Sequence, residues 1–271
     1  MAVPNVTKRR IIKYLNEGKR FDGRKQFEFR DLVIETGVSK KAEGSARVKL
    51  GKTEVLVGVK LALGTPYPDS ADSGTLMVTA ELSPMASEVF EKGPPSITSI
   101  MLARTIDRGI RESEAVDMKQ LCVTEGVKVW SLFLDIYAMN DDGNLIDAAS
   151  LGAMAALKTA VFPKIEGEGA DAKVLFGELT DKKLPLKDAY PLTMTFYKIG
   201  DKIVLDPTTE EEGASETKLS VAISIDKKKE VVNALQKDGD ETFTIDDLQL
   251  MMDEGTKEIK RLLPAFEKAT K

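Results

Sequence analysis

The sequence predicts an α+β protein built as two related layers of mixed sheet with helices. Two observations carry that reading. Each half of the chain runs through several short strand-like segments and then closes on a helix, and two of the helices show apolar residues at three- and four-residue spacing. A third feature supports it: Val127 to Ala138 is apolar on both faces, which suits a central strand covered on both sides. No repeat is visible residue by residue. The chain divides into a basic N-terminal helix (1–19), a first domain (20–163), a linker region (164–190) and a second domain with a C-terminal helix (191–271).

The first helix is short. Ile11 and Leu15 share a face, Thr7 is placed to cap it and Gly18 to end it. Strands follow. Arg47 to Leu50 leads through Gly51-Lys52 into Glu54 to Val59, and glycine at the first turn position suits a type II′ hairpin. Gly64 to Gly74 reads as a loop, and Thr75 to Leu82 as another strand. Ile97 to Arg111 is a helix with Leu102, Ala103, Ile106 and Ile110 on one side. After the central strand, Asn140 to Asn144 is a turn. The next helix, Ile146 to Val161, carries Ala148, Ala149, Gly152, Ala153, Ala155 and Ala156, small residues that let a sheet or helix come close. In the linker region we expect one short strand, Val174 to Phe176. Strands resume at Leu192 to Tyr197, Ile203 to Leu205 and Leu219 to Ile225. The last helix starts near Thr244 with Asp247 three residues on, and Leu248, Met252, Ile259 and Leu262 supply its apolar side.

Composition excludes several chemistries. The chain has 271 residues, no histidine and one cysteine. Ser-His-Asp and Cys-His catalysis within the chain is therefore excluded, and so are most zinc sites. Cys122, between Leu121 and Val123, reads as a buried small residue. No apolar run approaches a membrane span and the start has no signal-peptide core, so we expect a cytoplasmic protein. Charged residues make up 31%, and the net charge of −5 argues against a whole-protein attraction to nucleic acid. Its distribution does not: residues 1 to 30 hold nine Lys or Arg against three acids. That asymmetry permits a local RNA-facing surface.

Four blocks carry a resemblance. Arg20-Phe21-Asp22-Gly23-Arg24 is followed by Gly44 to Thr53, then by Ile106-Asp107-Arg108-Gly109-Ile110-Arg111-Glu112-Ser113, and then by Asp142-Gly143-Asn144-Leu145-Ile146-Asp147-Ala148-Ala149. In this order they resemble the RNase PH family over most of residues 20 to 160. The resemblance implies an RNase PH-like fold, two α+β layers per subunit assembled into a hexameric ring. It implies degradation of RNA from the 3′ end with phosphate as the nucleophile, releasing nucleoside diphosphates.

Two departures then bear on activity. Active relatives carry Gly-Thr-Arg or Gly-Ser-Arg after the central strand, where backbone N–H groups and the arginine fork hold phosphate. Here those positions are Gly143-Asn144-Leu145. Leu145 has neither donor nor charge, and Asp147 would repel the anion. Near Asp206 to Glu212, where relatives place an aspartate ahead of a second acid, the second acid falls near Lys218. Asp206, Glu211 and Glu212 imitate part of a site, but an acidic cluster in a loop reads first as a solvated turn.

These departures resemble one branch of the family, the archaeal exosome subunit that alternates in the ring with an active one. We therefore expect no catalytic residues or cofactor in this chain, with phosphate and Mg²⁺ at the catalytic sister subunit. The expected partners are that sister, RNA-binding cap subunits and single-stranded RNA. Arg104, Arg108 and Arg111 are the candidate RNA-binding residues, because they fall within an arc of about 60° on one helix, opposite Leu102, Ala103, Ile106 and Ile110. The plain alternative is a solvated face paired with Asp107 and Glu112. Lys8, Arg9, Arg10 and Lys13 read as a contact for a cap protein or RNA, or as a solubilising face. Arg20 and Arg24 bracket an Asp-Gly turn and read as structural. Trp130 and Tyr137 read as core. The competing functions are an active, self-assembling phosphorolytic 3′-exoribonuclease and an RNA-binding scaffold unrelated to exosomes.

Overall fold

The computed structural model describes residues 3–226 and 229–271. In chain order the elements are α1 (Asn5–Asn16), β1 (Leu32–Thr36), β2 (Gly44–Leu50), β3 (Thr53–Gly64), β4 (Thr75–Leu82), α2 (Ile97–Glu112), β5 (Cys122–Thr124), β6 (Lys128–Asn140), α3 (Leu145–Thr159), β7 (Val161–Glu166), β8 (Lys173–Lys183), β9 (Leu192–Ile199), β10 (Lys202–Leu205), α4 (Thr209–Ala214), β11 (Thr217–Asp226), β12 (Lys229–Gly239) and α5 (Ile245–Ala269). The first sheet runs β1-β2-β3-β6-β4, with β5 on the end of β6; only β4 pairs parallel, to β6. The second sheet runs β10-β9-β11-β12 and is antiparallel throughout.

Alternation builds the first layer. Val55, Val57, Val59 and Leu61 of β3 and Leu132, Leu134 and Ile136 of β6 point to one side and are buried. That side is covered by α3, and its small residues set the spacing: a Cβ on Gly152 would lie 2.8 Å from Val57 Cγ2. The far side of α3 reaches the second sheet, where Ser150 Oγ accepts from Thr193 N at 3.0 Å. The neighbouring α2 also touches both sheets, with Ser99 Oγ donating to Ala80 O on β4 and Gly109 close against Ala222 on β11. α2 and α3 therefore form a layer between the sheets. The opposite face of the second sheet carries α5, whose Gly255 lies against the Phe196 ring. A smaller core holds α1 on the second sheet through Ile11, Leu15, Tyr197, Ile199, Val204 and Ala214.

Several expectations need correction. The segment read as a linker with one short strand is a paired two-stranded sheet of β7 and β8. Thr7 does not cap α1; the helix already begins at Asn5, after Pro4. Leu248 is exposed in the first turn of α5, and Met251 and Phe266 join Ile259 and Leu262 as its buried apolar side chains. Cys122 is only half-buried. Trp130 is core, but Tyr137 is 38% exposed, on the outer face of β6. Both follow from the pleat: a central strand in this sheet is covered by helices on one side only.

Candidate functional site

The arginine helix is α2. Ser96 caps its start by accepting from Ser99 N, and Leu102, Ala103, Ile106 and Ile110 anchor it in the core. The opposite face presents Arg104 and Arg108, both exposed. Among the described residues neither has an acid oxygen within 4 Å. Arg111 differs. Its Nη2 donates to Asp107 Oδ1 at 2.7 Å and to Leu76 O at 3.1 Å, and its Nε to Asp107 Oδ2 at 3.2 Å. The hydrogen bonds to Asp107 push its pKa further up. Two of the three candidate guanidinium groups are thus available to an outside anion, and the third is half committed internally.

The start of α3 is the second feature. Gly143 (φ 85°) and Asn144 (φ 58°) turn the chain into the helix. The Asn144 N–H donates to Glu212 Oε1 at 2.9 Å, and the Tyr197 hydroxyl donates to the same oxygen at 2.5 Å. A carboxylate at a helix N-terminus is favoured by the helix dipole and occupies the position an external anion would take. Leu145 and Glu212 line a cleft of about 380 Å³, with Met101 and Thr105 of α2, Tyr197 and Lys218. Burial, with Glu212 next, raises both the Tyr197 phenol and the Asp141 carboxyl.

Beneath the cleft the acids are not a solvated turn. Asp206 is fully buried. It accepts from Arg30 N (2.8 Å), Arg30 Nη2 (2.7 Å), Arg24 Nη1 (2.9 Å) and Asn144 Nδ2 (2.9 Å). Glu211 is buried against Arg20. The N-terminal cations Arg20, Arg24 and Arg30 are therefore internal, and they neutralise acids that sequence reading placed in water. Nothing periodic marks such pairs, because the partners are far apart in the chain. Asp147, buried within α3, accepts from Thr195 N, Thr195 Oγ1 and Asn144 Nδ2, yet burial pushes it up to about 7. Lys218 pairs with Asp238 at 3.4 Å, a cation in place of the expected second acid.

Comparison with known proteins agrees with this geometry. Residues 28–163 match the model of domain 1 of the 3′ exoribonuclease family, RNase PH, and residues 189–258 match domain 2. The chain is 47% identical to the exosome complex component Rrp42 of Methanocella arvoryzae, over 88% of this chain and 86% of that protein. It is 42% identical to the component of the same name from Methanothermobacter thermautotrophicus, over 98% and 96% of the two. Among solved structures, it is similar to a chain of the Archaeoglobus fulgidus exosome with RNA bound to the active site. The TM-score there is 0.85 at 39% identity, covering 97% of this chain and 98% of that one. A rice Rrp46 structure shares the fold, with a TM-score of 0.67 at 18% identity. With both domains matched in order and relatives this similar along most of its length, the chain belongs to the RNase PH family of 3′ exoribonucleases.

Proposed function

We propose that this chain is the non-catalytic ring subunit of an archaeal exosome, binding RNA and placing it for 3′-to-5′ phosphorolysis by a catalytic sister subunit. One observation carries the non-catalytic reading: the Glu212 carboxylate takes the Asn144 N–H at the start of α3, with apolar Leu145 beside it. Where an active relative holds phosphate with donors, this chain offers a negative charge and a hydrocarbon side chain, and like charges at contact distance repel. Phosphate and Mg²⁺ act at the sister subunit, and this chain needs no cofactor.

Its own contribution is positional. Arg104 and Arg108 lie one helical turn apart, about 6 Å along the α2 axis, and each fork can bind one phosphate oxygen pair. The anchored side of α2 fixes that spacing. The relatives' names and the RNA-bound neighbour support membership of an exosome that acts on RNA; we propose that the chain alternates in a ring with the catalytic sister, with cap subunits on one face. No helix among the described residues is long and apolar enough to cross a membrane.

The test is biochemical. The purified chain, incubated with single-stranded RNA, phosphate and Mg²⁺, should release no nucleoside diphosphates. Mixed with its catalytic relative it should form a heterohexamer that does. Robust phosphorolysis by the isolated chain would sink the reading.

A further inference from the structure

The fold consumes four of the nine N-terminal cations. Lys8 pairs with Glu216 at 2.8 Å, and Arg20, Arg24 and Arg30 serve the buried acids. Of the other five, Lys25 lies beside α5, and Arg9, Arg10, Lys13 and Lys19 are exposed on or just after α1. Arg9 and Lys13 are exposed on α1, and among the described residues neither has an acid oxygen within 4 Å. Lys19 has only Glu17, at 3.9 Å. Beside them stands an aromatic pair: the Tyr14 and Phe21 rings meet edge to face, with centroids 5.1 Å apart. The Arg10 guanidinium lies 5.7 Å from the Tyr14 centroid and 5.6 Å from that of Phe21. Phe21 is 40% exposed.

We infer that the outer face of α1, with Phe21, is a second contact surface for single-stranded RNA, separate from the arginine face of α2. It rests on the reading above that the assembly acts on RNA. Cations that the fold leaves outside any ion pair suit a polyanion, and an exposed ring topped by a guanidinium suits an unpaired base, because every base has a π face. An acidic peptide would use the cations and leave the ring idle, so the pair favours nucleic acid over a protein segment. Phosphate contacts and stacking on a ring carry little base information, so the contact tolerates any sequence. The two surfaces are distinct: α1 packs at the β10 edge of the second sheet and α2 reaches the β12 edge. Three strand spacings, about 14 Å, separate those edges. The face is not needed for folding either, since Ile11 and Leu15 hold the helix from the other side.

The assembled ring is the material for the test, with labelled oligouridine titrated at several salt concentrations. Arg9→Ala with Lys13→Ala should flatten the slope of log K against log salt by about 1.4, two phosphates at about 0.7 each. Phe21→Leu should weaken binding about fivefold or more with the slope unchanged, since a lost stack carries no charge. An Arg104→Ala, Arg108→Ala ring runs alongside. If that ring binds weakly while both α1 variants bind like the parent, this inference is wrong and the proposed function stands. If none of the variants changes binding, this inference falls together with the assignment of RNA contacts to the α2 face. If the α1 variants keep RNA affinity but shed a partner protein, the surface is a protein dock and the inference is overturned.

Discussion

Arg20 and Glu211, 191 positions apart in the chain, form a doubly bonded ion pair whose side chains are 1% and 2% exposed. Arg20 Nε donates to Glu211 Oε1 at 2.9 Å and Nη2 to Oε2 at 2.5 Å. The remaining donors of the fork reach the carbonyls of Leu205 and Asp206. Glu211 also closes the capping box of α4 with Thr208. The pair thus ties the segment after α1 to the turn that carries Glu212 into the cleft.

Removing one partner leaves a buried charge alone. Glu211→Ala should destabilise the chain by about 3–5 kcal/mol. Replacing both, Arg20→Met with Glu211→Leu, should cost less, because no orphaned charge remains. Denaturant titration of the single and double variants checks the order, and a double variant worse than either single one would refute the account.

Gly143 is a backbone requirement. Its φ is 85°, and a Cβ there would stand 2.6 Å from Pro207 O and 2.7 Å from Thr208 C. Those atoms are main chain and cannot swing aside. Gly143→Ala should cost about 1–3 kcal/mol from crowding. It should also loosen the Asn144–Glu212 contact beside it, read as faster amide exchange at Asn144. A thermal melt and an exchange map measure both.

Asp147 gives a pH signature. Burial lifts it to about 7, far above the roughly 3.9 of an unfolded aspartate. Below about pH 4 both states carry the proton. Between about 4 and about 7 the folded state keeps a proton that the unfolded state has released, so this group's contribution to stability falls as pH rises. Above about 7 both are ionised and the cost is constant. Asp147→Asn should remove this slope, so the stability difference between parent and variant should change through that window and stay level above it. A difference independent of pH from 4 to 8 would show that Asp147 is ionised throughout.

Legibility in the sequence followed the range of the forces. Short-range patterns were readable: Thr75–Leu82 forms β4 within the bounds read from the sequence, and α2 and the Thr244–Asp247 capping box stand where spacing placed them. Position-by-position likeness directed attention to the α3 start, where the proposed function places a changed anion site. Long-range electrostatics was not readable. Arg30 and Asp206 look like surface charges in their own windows, and only the fold shows them bonded, with Asp206 fully buried. The same limit hid Glu212, whose role depends on Asn144 across 68 positions. Edge strands such as β12 and β1 were missed because half-exposed alternation there is broken by charges.

The arginine face gives the last prediction. Arg104→Ala with Arg108→Ala should leave the ring assembled, because Leu102, Ala103, Ile106 and Ile110 keep α2 in place. Each guanidinium that grips a phosphate contributes about 1.5–3 kcal/mol. The pair should also account for about 1.4 in the slope of log K against log salt. The loss should be similar for all RNA sequences, since phosphate contacts carry no base information. Arg111→Ala should cost less RNA affinity, because Asp107 and the Leu76 carbonyl already hold that guanidinium. Arg104→Lys with Arg108→Lys separates charge from shape: lysine keeps the salt slope but loses the fork, so affinity should fall while the slope stays. RNA titrations with these three variant rings and the parent at several salt concentrations measure every quantity. An unchanged affinity and slope in the double alanine ring would reduce the face to solvated surface.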